Sequence, residues 1–122
     1  MDISEKENTL TTKSYAFARR AFKLYRHLVA EQKEYVLSKQ ILRCGTSIGA
    51  NIAEANQAQS KPDFISKLSI ALKEAVETDY WLRLLRDEQF VTSSQAESMI
   101  ADCSELIRIP VASIKTAKRG AK

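Results

Sequence analysis

The chain has 122 residues, of which 44% are hydrophobic and 28% are charged. This composition is typical of a folded globular protein and excludes a disordered one. The length predicts one domain over residues 1–122, with a core that needs no disulfide. Three glycines and two prolines are too few for the many turns of a β protein, so helix is expected. The net charge of +4 permits nucleic-acid binding without requiring it.

Neither membrane insertion nor export is indicated. No apolar run approaches the roughly 18 residues that a membrane span needs, and no signal-peptide pattern follows Met1. The expected location is therefore the cytoplasm, with no membrane partner. Cys44 and Cys103 both fall on predicted apolar helix faces, which favours buried free thiols over a disulfide.

The first predicted helix covers residues 14–30. Residues 1–12 lack hydrophobic periodicity and are interpreted as a flexible arm, with Thr11 or Thr12 as a candidate helix cap. The helix has a main apolar row, and a second row widens the same face. The main row is Tyr15, Ala18, Phe22, Tyr25 and Val29, and the second is Phe17, Ala21 and Leu28.

The other side of this helix carries cations, and no acid occurs between Ser14 and Ala30. These cations are Arg19, Arg20, Lys23 and Arg26, and His27 lies on the same side. Cations one turn apart can contact successive phosphates, so these four are the candidate nucleic-acid-binding residues. A solvated face is one alternative. Another is pairing with acids of a neighbouring subunit, such as Glu97, Asp102 and Glu105. The aromatic residues have core spacing, which argues against a stacking platform.

The second predicted helix covers residues 39–56, with Ser38 as its N-cap. Its apolar face is Ile41, Cys44, Ile48, Ile52 and Ala55. Gly45 and Gly49 in its interior predict a close approach of another helix. A polar row and two acids of the third helix form a predicted network. Its members are Arg43, Ser47, Asn51, Glu54, Glu74 and Glu77. A structural network that fixes register is favoured over a ligand-contacting patch, and both stay open.

The third and fourth helices are predicted at 62–87 and 93–117, followed by a flexible tail at 118–122. Ser60 is the expected N-cap of the third helix, and Thr92 with Gln95 forms a capping box for the fourth. Pro110 is expected to kink or break the fourth helix. The third helix is apolar in several directions, which predicts self-association. Short loops between four amphipathic helices predict an all-α, antiparallel up-down-up-down four-helix bundle.

No catalytic residue, cofactor or metal site is predicted. The single histidine, His27, is in no Glu-x-x-His context of the kind that di-metal bundles use. Neither cysteine has an evident histidine partner and Ser47 has no base paired to it, and there is no phosphate-cradling glycine loop. A metal-dependent or small-molecule enzyme that uses Glu54, Glu74 and Glu77 is kept as a remote alternative.

Three stretches of the sequence resemble one protein family. They are SIGANIAEA at 47–55, KPDF at 61–64 and KLSIALKEAVETDYWLRLL at 67–85. They resemble bacterial four-helix-bundle proteins related to those encoded in intervening sequences of 23S rRNA genes. The resemblance covers residues 15–118 and is most specific at 40–85. The positions that match the family pattern are Ser47, Ile48, Asn51, Ile52, Ala53, Glu54, Phe64, Ala71, Glu74 and Trp81.

The resemblance implies a homo-oligomer, often a ring of five, with no catalytic residues. A more distant resemblance is to accessory proteins of diversity-generating retroelements, which are basic pentameric bundles that bind nucleic acid and a reverse transcriptase. Two departures stand out. Ala55 replaces a family glycine, so a left-handed helix end is not expected there, and Pro110 is unusual in the last helix.

The leading functional hypothesis is a homo-oligomeric accessory protein, without enzymatic activity, that associates with RNA or DNA through the basic face of the first helix. The alternative is a structural or protein-interaction scaffold that binds no nucleic acid, with the same face used for subunit contacts.

Overall fold

Four helices make up the part of the chain that the computed structural model describes, which is the backbone of residues 3–120 and the side chains of residues 9–120. There is no strand in this part. The helices are α1 (Ile3–Ala30), α2 (Leu37–Ala55), α3 (Lys61–Asp87) and α4 (Ser93–Arg119). Residues 1–2 and 121–122, for which flexibility was predicted, lie outside the described residues. The prediction of a flexible tail is wrong for Lys118 and Arg119, which belong to α4.

The helices form the predicted antiparallel bundle. Helix α1 packs against α2 and α4, and α3 packs against the same two, so α1 and α3 occupy opposite corners. In each packed pair of helices, residues nearer the start of one helix contact residues nearer the end of the other. The pairs are Thr11–Asn56 and Ser14–Gly49, Glu54–Lys67 and Arg43–Glu74, Ala75–Cys103 and Arg86–Glu97, and Lys13–Glu105 and Arg20–Asp102.

Helix α1 begins eleven residues before the predicted start at residue 14, because α1 spans Ile3–Ala30. The prediction of a flexible arm is therefore wrong for residues 3–12, and Thr11 and Thr12 lie inside the helix. Leu10 is buried and extends the core row of α1 towards its start. The side-chain amide of Asn56 donates a hydrogen bond to the hydroxyl of Thr11 at 2.8 Å, which ties this turn to the end of α2.

The rotation of α1 also differs from the prediction. The residues assigned to the widening row, Phe17, Ala21 and Leu28, are fully buried, whereas Tyr15 and Phe22 of the main row are exposed. The buried row continues through Leu10 and Ser14, and its small members allow close contact with α2. The row of Tyr15 and Phe22 has no such partner, so it faces outward.

The predicted caps of the last two helices are confirmed. The Ser60 hydroxyl accepts a hydrogen bond from the backbone N–H of Asp63 at 3.1 Å, and Thr92 and Gln95 form both bonds of the capping box. Pro110 is buried and does not break α4, which continues to Arg119. This outcome is possible because tertiary packing can outweigh the loss of one backbone hydrogen bond.

A glutamate, rather than the predicted Ser38, caps the start of α2. Ser38 is buried inside the helix, which begins at Leu37. The carboxylate of Glu34 accepts hydrogen bonds from the backbone N–H groups of Val36, Leu37 and Ser38, at 3.1, 3.0 and 2.7 Å. Partial burial raises the pKa of Glu34, but these three bonds lower it, and the net effect is a pKa below the ordinary value of 4.5. At the other end of α2, Asn56 has right-handed backbone angles, as expected from Ala55.

We expect Glu34→Ala to reduce the free energy of unfolding by about 1 kcal/mol at pH 7, the usual cost of losing a helix cap. A carboxylate with a lowered folded-state pKa stabilises the fold above its unfolded-state pKa, and this stabilisation is lost as the pH falls through the folded-state value. Urea unfolding at pH 7 and at about pH 3 should therefore show a difference from wild type that shrinks in acid. Glu31→Ala is the control, since Glu31 is exposed and makes no ion pair with residues 9–120. An equal effect of both changes would contradict the capping role.

Helices α1 and α2 approach each other closely at two glycines of α2. A Cβ added to Gly45 would lie 2.7 Å from the Cβ of Ala21, and a Cβ added to Gly49 would lie 3.4 Å from the backbone oxygen of Ser14. Alanine has no rotamer that moves its Cβ away, so a side chain at Gly45 must push the two backbones apart. The close approach predicted from the glycines is confirmed. Cys44 and Cys103 are both free and buried in the bundle core, and burial raises the pKa of Cys103 to about 12.

The two glycines are expected to respond differently to replacement by alanine. Gly45→Ala should lower the free energy of unfolding by about 1–3 kcal/mol, because overpacking outweighs the gain in helix propensity. Gly49→Ala should be neutral or stabilise the protein by up to about 1 kcal/mol. Urea midpoints measure both, and adding Ala21→Gly to Gly45→Ala should restore part of the loss. Equal responses at the two positions would show that contact with Ala21 does not limit the helix spacing.

Candidate nucleic-acid interface

The structure divides the four cations proposed for helix α1 into two groups. Arg19, Lys23 and Arg26 are exposed on the outward face and make no ion pair with an acid among residues 9–120. We call these three the outward cations. Arg20 instead faces α4, where its guanidinium lies 2.6 Å from the carboxylate of Asp102 and donates a hydrogen bond to Ser98 at 3.0 Å. Of the four cations, Arg20 is therefore the one that forms an ion pair with an acid among residues 9–120.

The acids named as partners for a neighbouring subunit have partners within the chain. Asp102 pairs with Arg20, Glu105 pairs with Lys13 at 2.8 Å, and Glu97 pairs with Arg86 at 3.1 Å. The hydrogen bond and the charge of Lys13 lower the pKa of Glu105. These pairs connect neighbouring helices of one bundle, so they contribute little charge that another subunit could use.

Two aromatic side chains lie among the outward cations. Tyr15 is 69% exposed and Phe22 is 49% exposed, and the guanidinium of Arg26 lies 6.0 Å from the centre of the Phe22 ring. The expectation that the aromatic residues of this helix all have core positions is wrong. Phe17 is buried, whereas Tyr15 and Phe22 are exposed. The signal was present in the sequence: α1 has two apolar rows, which is more than one corner of a four-helix bundle can cover.

A cleft of about 360 Å³ borders this face where α1 approaches the end of α3 and the start of α4. Lys23 and His27 belong to its lining, together with Arg20. Gln95 and a group of apolar side chains form the rest of the lining. The apolar residues are Leu24, Leu82, Val91, Ala96 and Met99. His27 therefore lies beside Arg20 and Lys23 of the basic face, the side of the helix on which the sequence placed it.

Part of the proposed polar network forms across α2 and α3. The guanidinium of Arg43 lies 3.1 Å from the carboxylate of Glu74 and also pairs with Glu77. Two residues that were not proposed join this cluster. Gln40 accepts a hydrogen bond from Arg43 at 3.3 Å, and the indole N–H of Trp81 donates to Glu77 at 2.9 Å. The cluster contains one cation between two acids, an arrangement suited to fixing the register of the two helices.

The other proposed network members do not join this cluster. The Ser47 hydroxyl donates to the backbone oxygen of Arg43 at 2.7 Å, and the Asn51 amide donates to that of Ser47 at 2.9 Å. Both bonds stay within α2. Glu54 pairs with Lys67 at 3.2 Å. Glu54 lies about three turns of α2 away from Arg43. The three glutamates of the remote enzyme alternative are thus held by cations on two separate parts of the α2–α3 contact.

Comparison with known proteins gives a family and a similar structure. The sequence pattern of the family described as 23S rRNA-intervening sequence protein matches residues 6–112. The chain belongs to this family. It is also 56% identical to a protein of unknown function from the S23 ribosomal protein family of Bacteroides thetaiotaomicron, known from a crystal structure. The match covers 90% of this chain and 98% of the other, with a TM-score of 0.89. No curated protein matches the chain.

The family match includes all of the outward cations and the whole Arg43 cluster, since both lie within residues 6–112. The resemblance read from SIGANIAEA and the segments that follow it is therefore confirmed. The similar structure is that of a protein of unknown function, so membership in the 23S rRNA-intervening sequence protein family assigns a fold and leaves the role of these residues to the chemistry of the site.

The described residues contain neither a metal-binding cluster nor a membrane-spanning helix. No group of three or more histidine, cysteine, aspartate or glutamate side chains among them is arranged to hold a metal ion. Within the same residues, no helix has the length and apolar character needed to cross a membrane.

Proposed function

We propose that this member of the 23S rRNA-intervening sequence protein family is a non-enzymatic, RNA-associated accessory protein that binds phosphates through Arg19, Lys23 and Arg26. The observation that carries the proposal is that these outward cations share one exposed helix face and have no acid partner among residues 9–120. Cations gathered without counter-charges attract a polyanion and release its counterions on binding. Arg20 is left out of the set because Asp102 holds it.

The distribution of acids supports an external anion as the partner. Among residues 9–120, the acids without an ion pair are Glu31, Glu34, Asp63 and Glu88. Glu34 caps α2 through backbone hydrogen bonds, and Asp63 lies in the first turn of α3. The two that are left, Glu31 and Glu88, follow the ends of α1 and α3, beyond the stretch of α1 that carries the outward cations.

RNA is the first nucleic acid to test. The family name associates its members with intervening sequences of 23S rRNA, and the similar structure comes from a family named for a ribosomal protein. DNA offers the same phosphate charges, so duplex DNA belongs in the same experiment.

We further propose that the protein self-associates through the outer surface of α3. Val76 and Tyr80 are 53% and 62% exposed there, and Ile70 is also exposed. Because α3 lies diagonally opposite α1, the α3 side of such a contact does not use the outward cations, and a ring would also need a second, different surface on each subunit. The family resemblance favours a ring of five, which would have five times the 13.7 kDa mass of one chain. The alternative function, a scaffold that binds no nucleic acid, would instead use the basic face of α1 for subunit contacts.

The test is fluorescence anisotropy of labelled structured RNA and of duplex DNA, titrated with the protein at low and at moderate salt. Light scattering on the same samples gives the mass. We expect RNA binding that weakens steeply with salt, with a slope of log K against log salt of about −2 if three phosphates of a single strand are neutralised. No binding at low salt by an intact oligomer would contradict the RNA role and support the scaffold.

A further inference from the structure

The outward face of α1 alternates aromatic and cationic side chains. Tyr15, Arg19, Phe22 and Arg26 follow one another at steps of four, three and four residues, which places them along one line of a helix. Tyr15 and Phe22 lie about 10 Å apart along the helix axis. Lys23 lies beside this line. Both rings are exposed large apolar side chains, although most aromatic rings of a small bundle are needed in its core.

The neighbours of the rings define what they can bind. The Arg26 guanidinium lies 6.0 Å above the Phe22 ring, so a flat group that stacks on this ring also comes close to a positive charge. Within residues 9–120, no acid is paired with Arg19 or Arg26, the cations that flank the rings. The surface thus offers flat apolar faces and positive charges in alternation, which complements a chain of flat bases joined by phosphates.

We infer that this face binds unpaired nucleotides of single-stranded RNA, with bases stacked on Phe22 and Tyr15 and phosphates held by the outward cations. The inference rests on the proposed function and specifies its ligand. In a duplex, the faces of the bases are covered by their neighbours, and the deep, narrow major groove of A-form RNA does not admit side chains that read it. Loops, bulges and free ends present the base faces that the two rings can use.

A second copy of the chain fits this face less well. A two-fold symmetric contact brings the same surface of both subunits together, so the outward cations of one copy would oppose those of the other. Opposed like charges disfavour such a contact. A contact with a different surface would need acids to match, and the acids of α4 are already paired within the bundle. Charge complementarity therefore favours the polyanion.

The test compares a labelled oligouridine of about 12 nucleotides, within the range bound by single-strand-binding folds, with an RNA duplex of the same length. Phe22→Leu keeps apolar bulk and removes the flat ring, and Phe22→Tyr keeps the ring. We expect Phe22→Leu to weaken oligouridine binding about 5- to 150-fold, the range for loss of one base stack. Its duplex binding and its salt slope should equal those of wild type, and Phe22→Tyr should bind oligouridine as wild type does.

The possible results separate this inference from the proposed function. If oligouridine and duplex bind equally and Phe22→Leu changes neither, the stacking inference is overturned while phosphate binding by the outward cations stands. If Phe22→Leu lowers the mass seen by light scattering, the face is a subunit contact and the inference is also overturned. If no RNA binds at low salt, both proposals fail. Because Phe22 is half exposed, all variants are expected to fold.

Discussion

Replacing Arg19, Lys23 and Arg26 together with glutamate is expected to weaken RNA binding by at least about 100-fold at low salt. The change removes three phosphate contacts and places three negative charges against the RNA backbone. The salt slope of any residual binding should fall by about 2, because each lost contact to a single strand removes about 0.7 from it. All three side chains are exposed, so the melting temperature should stay close to that of wild type. Anisotropy at several salt concentrations measures both effects.

A matched control has the same change in net charge elsewhere on the surface. Lys39, Lys61 and Lys115 are exposed, lie away from Val76 and Tyr80, and make no ion pair with residues 9–120. Their replacement with glutamate should reduce affinity only through the general loss of positive charge, with the salt slope nearly unchanged. Equal losses in the two triple variants would show that net charge, rather than the outward face of α1, determines binding.

Phe17→Ala is expected to lower the free energy of unfolding by about 3–5 kcal/mol, whereas Phe22→Ala should lower it by less than about 1 kcal/mol. The two residues have the same side chain and lie on the same helix. Phe17 is 1% exposed and lines the α1–α2 contact near Gly45, and Phe22 is 49% exposed. Loss of the buried ring leaves a cavity in the core, and a small domain has a total stability of only about 5–15 kcal/mol. Urea unfolding of both variants gives the comparison.

Phe17→Leu keeps most of the apolar volume and should lose only a fraction of the stability lost in Phe17→Ala. It provides a folded variant if Phe17→Ala is too unstable to purify. A loss at Phe22 as large as that at Phe17, with no change in mass, would mean that α1 is rotated so that the row of Tyr15 and Phe22 faces the core.

Local sequence signals predicted α3 and α4 because their starts depend on neighbours in the chain. A serine three residues before Asp63 and a threonine three residues before Gln95 satisfy free backbone N–H groups in any tertiary setting. The contact at Gly45 was predictable for a related reason, since glycine in a helix interior is costly unless a neighbour needs the space.

The start and rotation of α1 could not be read in the same way. Two apolar rows on one helix have similar periodicity, and the choice between them depends on which row fits α2. The small side chains of Ser14 and Ala21 meet Gly49 and Gly45, and this match appears only when both helices are placed together. The continuation of α1 before residue 14 follows from it, because Leu10 belongs to the same row.

The region of the candidate site could be predicted from the sequence, but not all of its residues could. Absence of acids between Ser14 and Ala30 marked α1 as the basic helix. Which cation is held internally depends on the alignment of α1 with α4, and this alignment places Arg20 against Asp102. The rotation of α1 also decides that Phe22 joins the outward face, so both facts required the tertiary structure.

The most direct test of RNA binding by the outward face is ultraviolet cross-linking of the intact protein to oligouridine, followed by mass spectrometry of the cross-linked peptides. We expect cross-links on the α1 segment from Tyr15 to Arg26, with Phe22 or Tyr15 as the attachment site. The triple glutamate variant should give none. Cross-links confined to the outer surface of α3 around Tyr80, or to the end of α4, would contradict the account and place the RNA on another face of the bundle.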